Sequence, residues 1–351
     1  MQVSCIRHGL IGSSGSPPDS ATVTEHSQVL VSVIIITKNR CNDLNRCLAS
    51  LFDQTMKNFE VIVVDGGSGD DTLKTVKNYS VSLYIDETKD LAFVRNFGAN
   101  EAKGEILAFL DDDAQADNSW LERAVSTLRE KPFLAAVGGP TIIVGKQHML
   151  GMYADSKASV FLSVFRKIYE TVVTENKLFE ICKFFKSGAF SIGSSLEWSS
   201  KIKGLVEVDY LSSCNFAIRR EAFFDSGGFD SAFPITHHDT DFFFRIRKKG
   251  LKYIFNPAMI VFHHVNQNAN TRPNSIELAS DFALFYCRHC NAKSLTSLLR
   301  LMVNICMLNA FSVYQATKTG KVKWLYWSAG FLQGFKRFFK ANAERTNNKG
   351  D

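Results

Sequence analysis

The chain has 351 residues, enough for one large α/β domain with additions or for two lobes. Its make-up, 45% hydrophobic and 22% charged, is that of a globular protein. A formal net charge of +6 is modest, so charge alone does not argue for a nucleic-acid partner. Phe is unusually frequent at 29 residues, which predicts an aromatic core or aromatic membrane-facing surface.

The N-terminus has no apolar stretch of signal-peptide length. Residues 11–29 are Gly/Ser/Pro-rich, and 1–29 reads as a disordered extension. The cysteines are scattered. Cys287 and Cys290 form a lone C-x-x-C without a second pair, so the set reads as reduced thiols rather than a metal or disulfide framework.

Val31–Thr37 (VSVIIIT) is a continuous β-branched run, as in a strand buried on both faces of a parallel sheet. Asn42–Asp53 follows as a helix capped by Asn42, with Leu44, Leu48 and Leu51 on one face. Glu60–Asp65 is the next strand, and Asp70–Tyr79 and Asp90–Lys103 read as helices. Glu105–Leu110 is a third strand, and Leu134–Val144 holds a fourth. Residues 145–205 are irregular and aromatic, with an amphipathic patch at Val160–Tyr169. Glu207–Ala217 and Leu251–Phe262 then read as strands around a helix at Asp239–Lys249. Alternation of this kind implies right-handed βαβ units in a doubly wound, mostly parallel sheet with helices on both faces.

Ligands of such sheets bind beyond the carboxyl ends of the strands. Asp65 ends the second strand, and Asp111, Asp112 and Asp113 end the third. Three adjacent carboxylates repel unless a cation shares the site, and Mg²⁺ or Mn²⁺ with diphosphate oxygens meets that need. The plainer reading is a solvated acidic loop before the helix that follows Asn118. Gly66, Gly67 and Gly69 allow tight turns near a ligand, but neither a dinucleotide fingerprint nor a P-loop is present.

The segments VSVIIITKNR, VIVVDGGSGDDT and LAFVRNFGANEAKGEILAFLDDDA, in that order, resemble the donor-binding half of family 2 glycosyltransferases, which have the GT-A fold. The resemblance resumes over Tyr210–His264, with YLSSCNFAIRREAFFDSGGFD and HHDTDFFFRIRKKG. It implies a donor half at 30–145 and an acceptor-binding and catalytic half at 146–275, while 276–351 reads from its composition as a basic, aromatic helical tail. It also implies that Thr37, Arg40, Asp65, Arg95, Asp111 and Asp112 line the nucleotide-sugar pocket. Asp113, Asp111 and His263 would hold the metal. For Arg95 the plainer alternative is a surface pair with Glu101 or Asp90, and for Thr37 and Arg40 a simple turn.

An acceptor hydroxyl must lose a proton as it attacks the anomeric carbon, which calls for a base. The resemblance assigns that role to Asp239 and places Asn215, His238 and Asp241 on the acceptor side. His238 stands where the family has Glu. Of the neighbours His263 and His264, only one can face the site, because adjacent residues on a strand point to opposite faces.

From Phe282 to Ala343 there is no acidic residue, while lysines and arginines alternate with aromatics. That suits a peripheral contact with a membrane at its cytoplasmic face. Leu295–Tyr314 is nearly long enough to span a bilayer, but Arg300, Asn304 and Asn309 argue against spanning. The alternative is a set of helices packed on the catalytic domain with a solvated basic face. The reaction expected is metal-dependent, inverting transfer from a UDP-, GDP- or dTDP-sugar to a glycan or lipid-linked acceptor, with no nucleic acid involved. Two competitors are a sugar-1-phosphate nucleotidyltransferase, disfavoured because ITKNRCNDL has no glycine, and a sugar-nucleotide binder that has lost catalysis at His238.

Overall fold

A computed structural model describes residues 30–144, 160–264, 275–289, 294–320 and 326–347. The expected N-terminal extension, Cys290 and the lysines 293, 321 and 323 lie outside these described residues.

Strand β1 (Val31–Thr37) is the centre from which the domain is built. It pairs in parallel with β2 (Phe59–Asp65) on one side and β4 (Ile106–Leu110) on the other. Strand β3 (Ser82–Ile85) joins the outer edge of β2. Beyond β4 come β8 (Asn215–Arg219), β6 (Leu134–Gly138) and β9 (Lys252–Phe255), completing a sheet of order β3-β2-β1-β4-β8-β6-β9. Only β8 runs antiparallel to its neighbours. The expected α/β, mostly parallel sheet is therefore present.

The two-residue period of β1 sorts its side chains into two cores. Val33 and Ile35 join Leu44, Leu48 and Leu51 of helix α1 (Cys41–Phe52) and Trp120, Leu121 and Leu128 of α4 (Trp120–Glu130). Ile34 faces the other way, with Ala92 and Ala99 of α3 (Leu91–Glu101). The abundance of Phe is explained on that second face. Phe109 stacks on Phe216 at 4.9 Å and meets Phe229 edge to face at 5.2 Å. Phe223 of α6 (Arg220–Asp225) and Phe242 and Phe243 of α7 (His238–Lys248) complete the cluster.

Several boundaries differ from the sequence expectation. Helix α1 begins at Cys41, so Asn42 lies inside its first turn and caps nothing. The helix expected over Asp70–Tyr79 contracts to α2 (Thr72–Val76), and β3 was not foreseen. Leu134–Val144 is two strands, because the chain turns at Gly139-Pro140 and continues as β7 (Thr141–Val144) in another sheet. Leu251–Phe262 divides in the same way into β9 and β10 (Val261–His264). Of the strand expected at Glu207–Ala217, only the end from Asn215 is extended. A second sheet, of order β5-β10-β7 with β5 at Ala114–Ala116, follows directly on the aspartates.

Beyond α5 (Val160–Ile168) and a π-helical turn at Tyr169–Val173, the C-terminal region forms α8 (Ser275–His289), α9 (Leu295–Thr319) and α10 (Trp327–Asn347). Helices α8 and α10 cross closely at Gly330 and Gly334. A Cβ there would stand 2.3 Å from the carbonyl oxygens of Ile276 and Ser280.

Candidate active site

The register Thr37↔Asp65 sets the carboxyl ends of β1 and β2 level. Thr37 donates from Oγ1 to Asp112 Oδ2 at 2.7 Å. Arg40, at the start of α1, donates from Nη1 to Asp112 Oδ1 (2.9 Å) and to Asp113 Oδ2 (2.8 Å). Asp112 and Asp113 are buried. Burial pushes the Asp112 carboxyl up to about 7, and Asp113 and Asp111 push it the same way against Arg40 and Thr37. Burial also opposes ionisation of Asp113, but the His263 hydrogen bond and charge, with Arg40, hold it below the usual carboxylate range.

His263 reaches that point because β10 runs antiparallel to β5, opposing it to Ala114 next to the aspartates. Its Nε2 lies 2.8 Å from Asp113 Oδ1. His264 points the other way, with Nε2 3.2 Å from Gln115 Oε1. The ligand atoms of Asp111, Asp113 and His263 all lie within 4.8 Å of one another. Two hard carboxylate donors and one imidazole form a set that fits Mn²⁺ or Mg²⁺.

The second half of the site arrives on α7. Arg95, buried in α3, donates from Nη2 to Asp111 Oδ1 (2.8 Å), and its Nη1 lies 3.2 Å from His238 Nε2. Neither Glu101 nor Asp90 is its partner in these bonds. Since Arg can only donate, Nε2 accepts and the imidazole proton sits on Nδ1. That atom is buried with no partner among the described residues. Burial and the adjacent guanidinium hold His238 neutral.

Asp239 follows in the first turn of α7. Its carboxylate accepts from the Ser213 amide (2.9 Å) and the Thr240 amide (2.7 Å). Burial would raise its pKa, while the adjacent His238 and then the Ser213 and Thr240 amides pull it below the ordinary carboxylate range. The preceding His237 has φ 61°, a left-handed conformation uncommon outside glycine. Its ring packs nearly parallel to those of Phe190 (5.4 Å) and Phe285 (5.2 Å), the three forming one aromatic cluster at the start of α7.

Three expected site residues have all or most of their hydrogen-bonding groups committed to the protein. Asp65 is fully buried and accepts from the Gly67 and Ser68 amides and the Ser68 hydroxyl. Gly67, at φ 77°, supplies the left-handed turn this requires. Asn215 is buried, bonded to Trp120 Nε1, Pro140 O and Met259 O, and serves as a clamp between the two sheets. Asp241 is buried beneath Arg245 Nε (2.6 Å) and His289 Nε2 (2.7 Å). Neither Asn215 nor Asp241 opens toward an acceptor.

Residues not foreseen tie the C-terminal helices to the rest of the domain. Asp281 accepts from the Ile235 and Thr236 amides, just before α7, and pairs with Arg337 of α10 at 2.7 Å. Arg288 pairs with Asp230 at 2.6 Å and Arg300 with Glu175. No local signal marks these partners, which are far apart in sequence.

Residues 32–191 match the family described as glycosyl transferase family 2. Fold and matched region agree on a class: the chain has the GT-A fold, and its residues 32–191 are similar to family 2 glycosyl transferases. Among relatives, it is similar to glycosyltransferase AglE of Haloferax volcanii, 39% identical over 28% of this chain and 35% of that protein. It is 24% identical to a dolichyl N-acetyl-α-D-glucosaminyl phosphate 3-β-D-2,3-diacetamido-2,3-dideoxy-β-D-glucuronosyltransferase of Methanococcus voltae, over 68% of each chain. Among solved structures, the mannosyltransferase PcManGT of Pyrobaculum calidifontis, in complex with GDP-Man and Mn²⁺, superposes with a TM-score of 0.51. It covers 92% of this chain and 90% of its own at 18% identity, a likeness of fold. The chain spans 35%, 22% and 34% of the first curated relatives it matches.

Proposed function

We propose that the chain transfers a sugar, with inversion, from a nucleoside diphosphate donor to an acceptor hydroxyl. The observation that carries this reading is the gathering of Asp111, Asp113 and His263 within 4.8 Å, linked through Arg95 and His238 to the helix bearing Asp239. Asp111, Asp113 and His263 would hold Mn²⁺ or Mg²⁺, which when bound neutralises the charge developing on the departing diphosphate. Thr37 and Arg40 orient the aspartates, and Arg40 adds positive charge at the phosphate end. Asp65 and its glycine turn form the nucleotide-base edge of the pocket, and Arg95 fixes Asp111. Asp239, ionised and held by two amides, accepts the acceptor's hydroxyl proton. The neutral His238 positions Arg95 and offers its Nδ1 proton to a bound ligand.

The relative from Methanococcus voltae is named for a dolichyl phosphate-linked acceptor. Together with the basic tail, that favours a lipid-linked acceptor met at the cytoplasmic face of a membrane. The test is a screen of UDP-, GDP- and dTDP-sugars with Mn²⁺, read by thermal shift and donor hydrolysis. Metal-dependent stabilisation and hydrolysis by one donor class are expected. Binding without turnover would make the chain a sugar-nucleotide binder, and indifference to every donor would remove the reading.

A further inference from the structure

Helix α9 carries apolar side chains on its outward side as well as against the domain. Its outward side carries Leu295, Leu298, Leu299, Met302, Cys306 and Val313, with Leu295 72% and Met302 54% exposed. These positions recur at helical spacing and form one stripe about 27 Å long at 1.5 Å per residue. The inward side mixes polar groups with buried Leu301 and Met307. Asn304 is buried and donates to the Ser187 carbonyl at 2.9 Å, Ser297 and Ser312 are buried, and Arg300 pairs with Glu175. Over Leu295–Tyr314 the mean hydropathy is 1.4. Val164 and Ile168 of α5, also exposed, widen the stripe into an open groove of about 450 Å³ shared with Leu299 and Met302.

We propose that this stripe is a lipid-binding face, and that α9 and α5 lie in the plane of an anionic membrane with these side chains in the boundary between headgroups and acyl chains. This rests on the membrane reading above, and it names the surface and the mode of contact. In-plane binding follows because α9 is tied to the domain through Asn304 and through the Arg300–Glu175 ion pair within its apolar stretch, and spanning would carry these charged groups into the hydrocarbon. A second copy is a poorer occupant. The chain from Phe282 to Ala343 has no acid, while Lys167 beside Ile168 and Lys336 of α10 are exposed, so apposing two copies would bring like charges together, whereas anionic headgroups complement them. The structure also shifts the balance of forces within the tail. Arg288, Arg300 and Arg337 are already paired with Asp230, Glu175 and Asp281, which leaves apolar insertion as the larger contribution.

The test is flotation of the full chain with phosphatidylglycerol-containing vesicles and with pure phosphatidylcholine vesicles. The parent should float with the anionic vesicles and keep most of that binding in high salt. Leu299→Glu combined with Met302→Glu should lower the bound fraction about tenfold or more. Thermal unfolding and hydrolysis of a soluble donor should match the parent. Met302→Trp should be quenched by brominated acyl chains. The proposal is overturned if the parent does not float, if the double variant floats equally well, or if Met302→Trp is not quenched. It is equally overturned if light scattering shows the double variant dissociating a dimer while flotation is unchanged. Donor hydrolysis absent from parent and variants alike, with flotation as expected, would remove the catalytic reading and leave the lipid face standing.

Discussion

Asp239 and Asp241 sit two residues apart in the first turn of α7, yet their surroundings are opposite in kind. Asp239 is half-buried, held by two backbone amides, and lies on the side of the helix reached from Arg95 and His238. Asp241 is fully buried against Arg245, His289 and Arg288 and ties α7 to α8. The helical period explains the split, since residues two apart face different sides. Side chains of one chemistry therefore acquire a candidate proton-accepting role and a structural one purely from what each face meets.

The sharpest way to break this comparison is to substitute both. Asp239→Asn keeps the shape but cannot accept a proton. Turnover should fall roughly 10²-fold or more with donor affinity retained, measured by steady-state kinetics and titration calorimetry. Near-parental turnover would show that the acceptor loses its proton elsewhere. Next in size, Asp113→Ala should weaken nucleoside diphosphate affinity by about 10-fold or more in the presence of Mn²⁺ and abolish sensitivity to chelator. Equal affinity with and without chelator in the parent would end the metal assignment.

Asp241→Asn should act on stability instead. Leaving Arg245 and His289 without their carboxylate should cost about 3 kcal/mol, roughly 6–12 °C in melting temperature, with turnover within a few-fold of the parent. A loss of turnover as large as that of Asp239→Asn, at unchanged stability, would reverse the two roles. The smallest effect is a matter of pH. Burial works against ionisation of Asp241, but His289 and Arg245 hold its pKa below the ordinary carboxylate value. Its stabilisation is therefore complete above the unfolded value of about 3.9 and is lost as pH falls through the lower folded value. The stability gap between parent and Asp241→Asn, measured by denaturant titration, should be widest near neutrality and narrow below about pH 4.

The region from β1 to β4 was largely legible because its signals are local. A β-branched run such as Val31–Thr37 can be little other than a buried strand, and three aspartates at a strand end mark a place where negative charge must be compensated. The strand boundaries at Gly139-Pro140 and Asn256-Pro257 were harder. The apolar runs continue across both turns, and only the closing of a second sheet shows that the chain changes partners there.

By itself the sequence determined the α/β class, the order of the donor-site segments, and the carboxylates and histidines from which a site could be assembled. Tertiary structure decided which of them meet. It brought His263 to Asp113 across 150 positions of sequence, buried Asn215 and Asp241, and set Asp281, Arg337 and His289 behind the helix that carries Asp239. It also left an apolar stripe of α9 exposed and spent Arg288, Arg300 and Arg337 on internal partners. Composition and periodicity report which faces are apolar or charged. Whether a face meets protein, water or lipid depends on contacts between segments far apart in the chain, and no local pattern encodes those.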